Sequence, residues 1–169
     1  MIPRRSRQSL GQALAFALEG LRHAVRTQRA FRIQLVITGF VGGLLLWLGV
    51  PALESGVIIL SILVVLVVEL INTALEVVVD LLVERNHHAL AKVAKDLAAA
   101  AVVVAAAGAA IVGLLVLGPP VGAALGVDAG TASRWSRIGA VFTVLVGAVV
   151  LWLTQKPTGA ARSVSNRPR

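Results

Sequence analysis

Four long apolar runs constrain this chain of 169 residues more than any other feature of its sequence. They span residues 35–50, 56–83, 97–117 and 138–153. A helix needs about 20 apolar residues to cross about 30 Å of hydrocarbon, and in lipid a helix satisfies its own backbone hydrogen bonds. Since 57% of the residues are hydrophobic and only 14% are charged, the sequence predicts an all-α integral membrane protein with four transmembrane helices.

The distribution of lysine and arginine predicts how these helices are oriented. Seven of these residues lie in 1–34, three in 84–96 and four after Leu153, whereas the opposite side has only Arg134 and Arg137. Because cytoplasmic segments are enriched in lysine and arginine, we expect a multi-pass protein of the cell inner (cytoplasmic) membrane with both termini in the cytoplasm. The formal net charge of +8 favours anionic lipid headgroups, and not nucleic acid, as partners. We expect no removable signal peptide, since no short apolar stretch with a cleavage site begins the chain.

An amphipathic pattern precedes the first apolar run. Leu10, Leu14, Leu18 and Leu21 recur on one helical face, with arginines on the opposite face. This pattern predicts a surface helix in the cytoplasmic headgroup layer, which either brings arginines to lipid phosphates or only anchors the bundle.

Prolines and glycines predict where the spans end. We expect Pro51 to close the first transmembrane helix and Pro119-Pro120 to close the third. The glycine-rich stretch 118–130 is then a flexible connection to the fourth helix.

The second apolar run contains a polar stripe formed by Glu69, Asn72, Glu76 and Asp80. Their spacing puts all four side chains on one face of a helix. Like-charged carboxylates inside a span are costly and repel one another, so a bound cation is expected, and an oxygen-only ligand set suits Mg²⁺. The alternatives are an ion or proton pathway, as in a small multidrug or ion transporter that uses Glu69 as its coupling carboxylate, or contacts between helices.

The stripe is expected to open towards the cytoplasm, where ATP and Mg²⁺ are available. Phosphoryl transfer from a nucleotide to a lipid hydroxyl needs a carboxylate to accept the hydroxyl proton, a metal ligand and a cation for the phosphate charge. Lys95, beside Asp96 in the short cytoplasmic loop after Asp80, is the candidate cation. The alternative for Lys95 is an ordinary flanking charge of a transmembrane helix.

Two segments of the chain carry distinctive motifs. One runs from Glu69 to Asp80 (Glu-Leu-Ile-Asn-Thr-Ala-Leu-Glu-x-x-x-Asp) and the other from His88 to Asp96 (His-Ala-Leu-Ala-Lys-Val-Ala-Lys-Asp). Together they resemble the prokaryotic diacylglycerol kinase and undecaprenol kinase family. The resemblance implies an ATP- and Mg²⁺-dependent lipid kinase that phosphorylates diacylglycerol or undecaprenol, as a homotrimer with active sites shared between subunits. The sequence does not separate these two lipid alcohols.

The apolar runs and the extent of the resemblance together predict a division of the chain, in which residues 118–169 lie outside the family core, and the resemblance implies a role for each site residue. Residues 1–34 form the cytoplasmic segment with the surface helix, 35–117 the three-helix transmembrane kinase core, and 118–169 an added segment with a fourth transmembrane helix and a basic cytoplasmic tail. The implied catalytic residues are Glu69 as general base and Asn72 as an orienting group. The implied metal site contains Glu76 and Gln28, which stands where the family has a glutamate; nucleotide contacts are implied for Asp80, His88, Lys95 and Asp96.

Overall fold

The computed structural model describes residues 9–83 and 89–154, and this part of the chain is helical throughout apart from short connections. Its helices are α1 (Leu10–Thr27), α2 (Arg29–Leu48), α3 (Ala52–Val83), α4 (Ala89–Ala124) and α5 (Ala129–Thr154). The predicted all-α class is therefore confirmed for the described residues. The chain packs mainly as α3 against α4 and α4 against α5, while α1 and α2 make fewer contacts.

Helix α1 occupies the amphipathic segment, and both of its ends are capped. At its start, Ser9 Oγ accepts from the backbone N–H of Gln12, and Gln12 Oε1 accepts from that of Ser9, which forms a capping box. At its end, Arg32 Nη1 on α2 donates to the carbonyl oxygens of Val25 and Arg26 at 3.2 and 3.1 Å. Arginine thus satisfies carbonyls that the end of a helix leaves free. The leucines of its apolar face are exposed, and its location at a membrane surface stays a prediction.

The turn between α2 and α3 lies next to Pro51, as predicted. Gly49 has φ +61°, a left-handed conformation that glycine adopts at low cost, and its N–H donates to the last turn of α2. Beyond this turn, Leu45 of α2, Ile58 of α3 and Leu117 of α4 are buried together in one apolar cluster. This cluster joins three helices at the end of the bundle opposite α1.

Helix α4 corrects the prediction that Pro119-Pro120 closes the third span and that 118–130 is a flexible connection. The helix continues through both prolines to Ala124. Each proline in a helix interior removes a hydrogen bond, at a cost of about 3 kcal/mol, and the close packing of this segment against α5 opposes that cost. The predicted domain boundary between residues 117 and 118 therefore falls within a continuous helix.

Small residues allow α4 and α5 to approach closely. A Cβ atom at Gly118 would lie 1.8 Å from Ser136 Oγ, and one at Gly122 would lie 2.5 Å from the Cβ of Ala132. Glycines spaced four apart that face small residues are a common way for helices to pack in membranes. Gly126, with φ +76°, ends the turn, so α5 returns along α4.

Three helices, α2, α3 and α4, are long and apolar enough to cross a membrane. Most of their apolar side chains are exposed in the single chain, which is the surface expected for helices that contact lipid. Helix α5 is not among these three within the residues searched, so the fourth transmembrane helix stays a prediction.

Candidate active site

The predicted polar stripe lies along one continuous helix, because α3 is unbroken over its 32 residues. Burial falls steadily along it. Glu69 is only 3% exposed and Asn72 8%, Glu76 is half-buried, and Asp80 is exposed. The stripe therefore runs from the interior of the bundle to one open end.

The Glu69 carboxylate has one side-chain partner among the described residues. Gln34 Nε2 on α2 donates to Glu69 Oε2 at 3.5 Å. One turn further along α3, the Thr73 hydroxyl donates to the backbone carbonyl of Glu69 at 3.0 Å and not to its carboxylate. Neither described ion pair involves Glu69, so this buried carboxylate keeps acceptor capacity for a proton donor.

Asn72 connects the buried and half-buried parts of the stripe. Its Nδ2 donates to Glu76 Oε1 at 3.3 Å. Its Oδ1 is buried and has no hydrogen-bond partner in the described part of the chain. A buried amide oxygen left without a partner costs about 1–3 kcal/mol, and together with the Glu76 carboxylate it presents hard oxygen ligands on one side of α3.

The exposed end of the stripe is joined to α4 by a charged pair. Lys95 Nζ lies 2.5 Å from Asp80 Oδ1, across a sequence separation of 15 residues. The prediction that Lys95 approaches the stripe agrees with this geometry, but its placement in a loop was wrong, because Lys95 lies within α4. The first turns of α4 therefore place Lys95 beside Asp80 of α3.

The other predicted site residues are not joined to the stripe by described hydrogen bonds. Asp96 instead pairs with Lys92 one turn away on exposed α4 surface. Gln28 is the single extended residue between α1 and α2, and its side chain makes no capping hydrogen bond. His88 lies outside the described residues. Over 9–83 and 89–154, no three acidic, histidine or cysteine side chains form a group that could hold a metal ion.

Gln34 is the site residue that the sequence analysis missed. It is a half-buried polar side chain at the start of the first apolar run, and its place at that boundary, one turn before Thr38, was the signal that could have found it. Its amide oxygen Oε1 is buried and, like Asn72 Oδ1, has no partner within the described ranges.

A cavity of about 300 Å³ between α2, α3 and α4 ends at Gln34. Its other polar side chains are Thr38 and Ser61, and the remaining wall is formed by aliphatic side chains, alanines and a glycine. The volume lies at the lower end of the range for small-molecule pockets. The cavity is therefore a largely apolar space next to the buried end of the polar stripe.

The polar stripe and Lys95 lie in a region of the chain that matches a known protein family. The family model described as prokaryotic diacylglycerol kinase matches residues 15–117, which is more than half of the chain and includes every stripe residue and Lys95. The chain belongs to the prokaryotic diacylglycerol kinase family. The resemblance predicted from the two motifs is thereby confirmed, and the family is named for a lipid kinase.

Individual relatives agree with this assignment. The chain is 44% identical over 106 residues to a diacylglycerol kinase from Synechocystis sp., a match that covers 63% of this chain and 61% of that protein. It is 37% identical over 116 residues to an undecaprenol kinase from Bacillus subtilis, covering 64% of this chain and 87% of that one. A diacylglycerol kinase from Escherichia coli is 34% identical over 88 residues, with 52% and 71% covered.

These comparisons bear on two alternatives left open by the sequence. The relatives named above are kinases, so the transporter alternative for Glu69 has no support. The match spans less than two thirds of the length of the Synechocystis protein, and the relatives are named for two different lipid alcohols. The choice between diacylglycerol and undecaprenol therefore stays open.

Proposed function

We propose that this protein transfers the γ-phosphoryl group of ATP to the hydroxyl of a membrane lipid alcohol, diacylglycerol or undecaprenol. The observation that carries the proposal is the polar stripe of α3, which has a buried carboxylate at one end and a lysine ion pair at its exposed end. A lipid hydroxyl and a soluble nucleotide need such a connection between the hydrocarbon and the aqueous phase.

Glu69 is the proposed general base. It is the seventeenth residue after Ala52 at the start of α3, so it lies about 26 Å along the helix at 1.5 Å per residue, near the far edge of a hydrocarbon layer about 30 Å thick. In the reaction, the lipid oxygen attacks the γ-phosphorus and its proton passes to the Glu69 carboxylate. The bond from the γ-phosphorus to the β,γ-bridging oxygen breaks, and ADP leaves.

Glu76 and Gln28 are the proposed ligands of Mg²⁺, and Asn72 is the proposed orienting group, which holds the Glu76 carboxylate and has an oxygen left free by the described residues on the same side of α3. The fit is supported by the hard donor set and by the unpartnered, buried Asn72 oxygen next to the Glu76 carboxylate. Mg²⁺ usually takes one or two carboxylates from the protein and completes its ligand set with phosphates and water. When bound, it would neutralise phosphate charge during transfer.

Lys95 is the proposed phosphate contact, with Asp80 holding its ammonium group in place. Asp96 and His88 are proposed nucleotide contacts on the same side of the membrane. This assignment is supported by the exposure of the Asp80 and Lys95 pair, 64% and 36%, since a nucleotide from solution must reach it.

The membrane arrangement is proposed to be an inner-membrane protein with both termini cytoplasmic, α1 in the headgroup layer near anionic lipids, and α5 as a fourth span. Arginine and lysine counts on the two sides support this orientation. The active form is proposed to be a homotrimer with shared sites, as the family resemblance implies.

The proposed function is tested by incubating the purified protein in mixed micelles with Mg²⁺, γ-labelled ATP and one lipid at a time. Labelled phosphatidic acid or labelled undecaprenyl phosphate is the expected product, and the lipid with the higher kcat/KM is the substrate. Triacylglycerol, which lacks a hydroxyl, and the Glu69→Gln variant are the matched controls. Absence of lipid product with both alcohols would overturn the proposal.

A further inference from the structure

Gln34 is the one side chain in the described part of the chain that reaches the Glu69 carboxylate from another helix. Its Nε2 and Glu69 Oε2 are 3.5 Å apart, across a sequence separation of 35 residues. This separation joins α2 to α3 at the buried end of the stripe. An ionised carboxylate only accepts hydrogen bonds, so the amide must turn its NH₂ group towards Glu69.

The other half of the same amide indicates what holds Gln34 in place. Gln34 Oε1 is buried without a partner in the described ranges, although a glutamine that only bridges helices would satisfy both halves of its amide. Within the described residues, the contact with Glu69 is the only hydrogen bond that orients this side chain. The position of the Gln34 side chain is therefore set by its contact with Glu69, although the amide oxygen is left without a hydrogen bond.

The cavity next to Gln34 shows where a substrate would approach. Gln34 is among the residues that line the cavity, whereas Glu69 is not. Val65 and Leu66 line the cavity on α3 one turn before Glu69, so the carboxylate lies just beyond the end that Gln34 closes. A hydroxyl at the end of an apolar chain would meet the carboxylate at this point.

We propose that Gln34 is a positioning residue, which orients the Glu69 carboxylate towards the substrate hydroxyl. This inference rests on the proposed kinase function and adds a residue to it. The 3.5 Å separation is at the long end for a hydrogen bond, and catalytic hydrogen bonds often shorten when substrate binds. Orientation of a base affects the transition state more than the binding of ATP, so its loss lowers kcat and leaves KM for ATP nearly constant.

Gln34→Met tests the proposal, because methionine has a similar length and no hydrogen-bond donor. We expect kcat to fall at least tenfold, KM for ATP to change less than twofold and the thermal midpoint in detergent to be retained. Gln34→Asn is the second variant. It keeps the amide but withdraws it by one carbon–carbon bond, about 1.5 Å, and should show the same loss of kcat.

Thr38→Val is the matched control. Thr38 lines the same cavity one turn away, but its hydroxyl donates to the carbonyl oxygen of Gln34 at 2.8 Å within α2. Its substitution removes a polar group at similar depth and should lower kcat less than threefold. A larger loss would mean that the cavity wall, and not the Gln34 amide, controls the rate.

A double-variant comparison separates positioning from a general structural effect. In a Glu69→Gln background, Gln34→Met should cause no further loss, since there is no base to orient. An equal fold-loss in both backgrounds, or wild-type kcat in both Gln34 variants, would overturn the inference while leaving the kinase function intact. If the wild type forms no lipid product in the same assay, the proposed function fails, and the role of Gln34 fails with it.

Discussion

Replacement of Lys95 by methionine should separate a structural ion pair from a phosphate contact. The Lys95 and Asp80 side chains are 36% and 64% exposed, and exposed ion pairs contribute only about 0.2–1 kcal/mol to stability. The thermal midpoint of a chain of this length should therefore fall by less than about 4 °C. If the ion pair had only a structural role, we would expect Lys95→Met to cause a similarly small change in activity.

A lysine that contacts phosphate predicts a much larger effect on catalysis. A hydrogen bond between charged groups is worth about 1.5–3 kcal/mol, which corresponds to about a 10- to 150-fold loss at 1.36 kcal/mol per decade. We expect Lys95→Met to lower kcat/KM for ATP by this factor and to change KM for the lipid less than threefold. Initial rates measured over a range of ATP concentrations at saturating lipid give kcat/KM for ATP. Rates measured over a range of lipid concentrations at saturating ATP give KM for the lipid.

Lys92→Met is the matched control, because Lys92 is also a lysine in the first turns of α4 that forms an ion pair with an aspartate. It removes the same charge from the same end of the helix, so it accounts for general attraction of ATP and for effects on membrane orientation. We expect less than a twofold change in kcat/KM. Equal losses in the two variants, or a loss below threefold in Lys95→Met, would refute the phosphate contact.

Three further predictions concern the base, the metal and the membrane. Glu69→Gln should lower kcat by about 10²–10⁴-fold with nucleotide binding retained; more than a tenth of wild-type kcat would remove it from the base role. Glu76→Ala should raise the Mg²⁺ concentration needed for the half-maximal rate, and Gln28→Glu should lower it, because Mg²⁺ prefers charged oxygen ligands. If the Mg²⁺ titrations of both variants match that of the wild type, the assigned metal site is wrong. Single cysteines at Ser55 and Thr154 should react with an impermeant maleimide from outside and inside respectively; outside labelling at position 154 would exclude the fourth span.

The sequence alone predicted the helical membrane class and the polar stripe, because both depend on local periodicity. A run of apolar residues long enough for the bilayer forms a helix wherever it occurs in the chain, and a spacing of three or four residues puts side chains on one face. Thus α3 presents Glu69, Asn72, Glu76 and Asp80 as predicted, with burial that decreases towards one end. The motifs on this helix and on α4 were also sufficient to recognise the family.

Local rules were wrong where packing between helices outweighed them. Pro119-Pro120 is a helix-ending pattern by itself, yet α4 continues to Ala124 because Gly118 and Gly122 allow α5 to pack closely beside it. This close packing depends on Ala132 and Ser136 of α5. They lie on the next helix, outside the local sequence around the prolines.

Only the tertiary structure decided which side chains meet across helices. The hydrogen bond from Gln34 to Glu69 spans 35 residues, and the ion pair between Lys95 and Asp80 joins two helices whose rotation and crossing the sequence pattern leaves free. In lipid, apolar side chains are satisfied on every face of a helix, so hydrophobicity does not specify which face meets a neighbour. Close packing and a few polar contacts make that choice, and they bring the amide of α2 and the lysine of α4 to the carboxylates of α3.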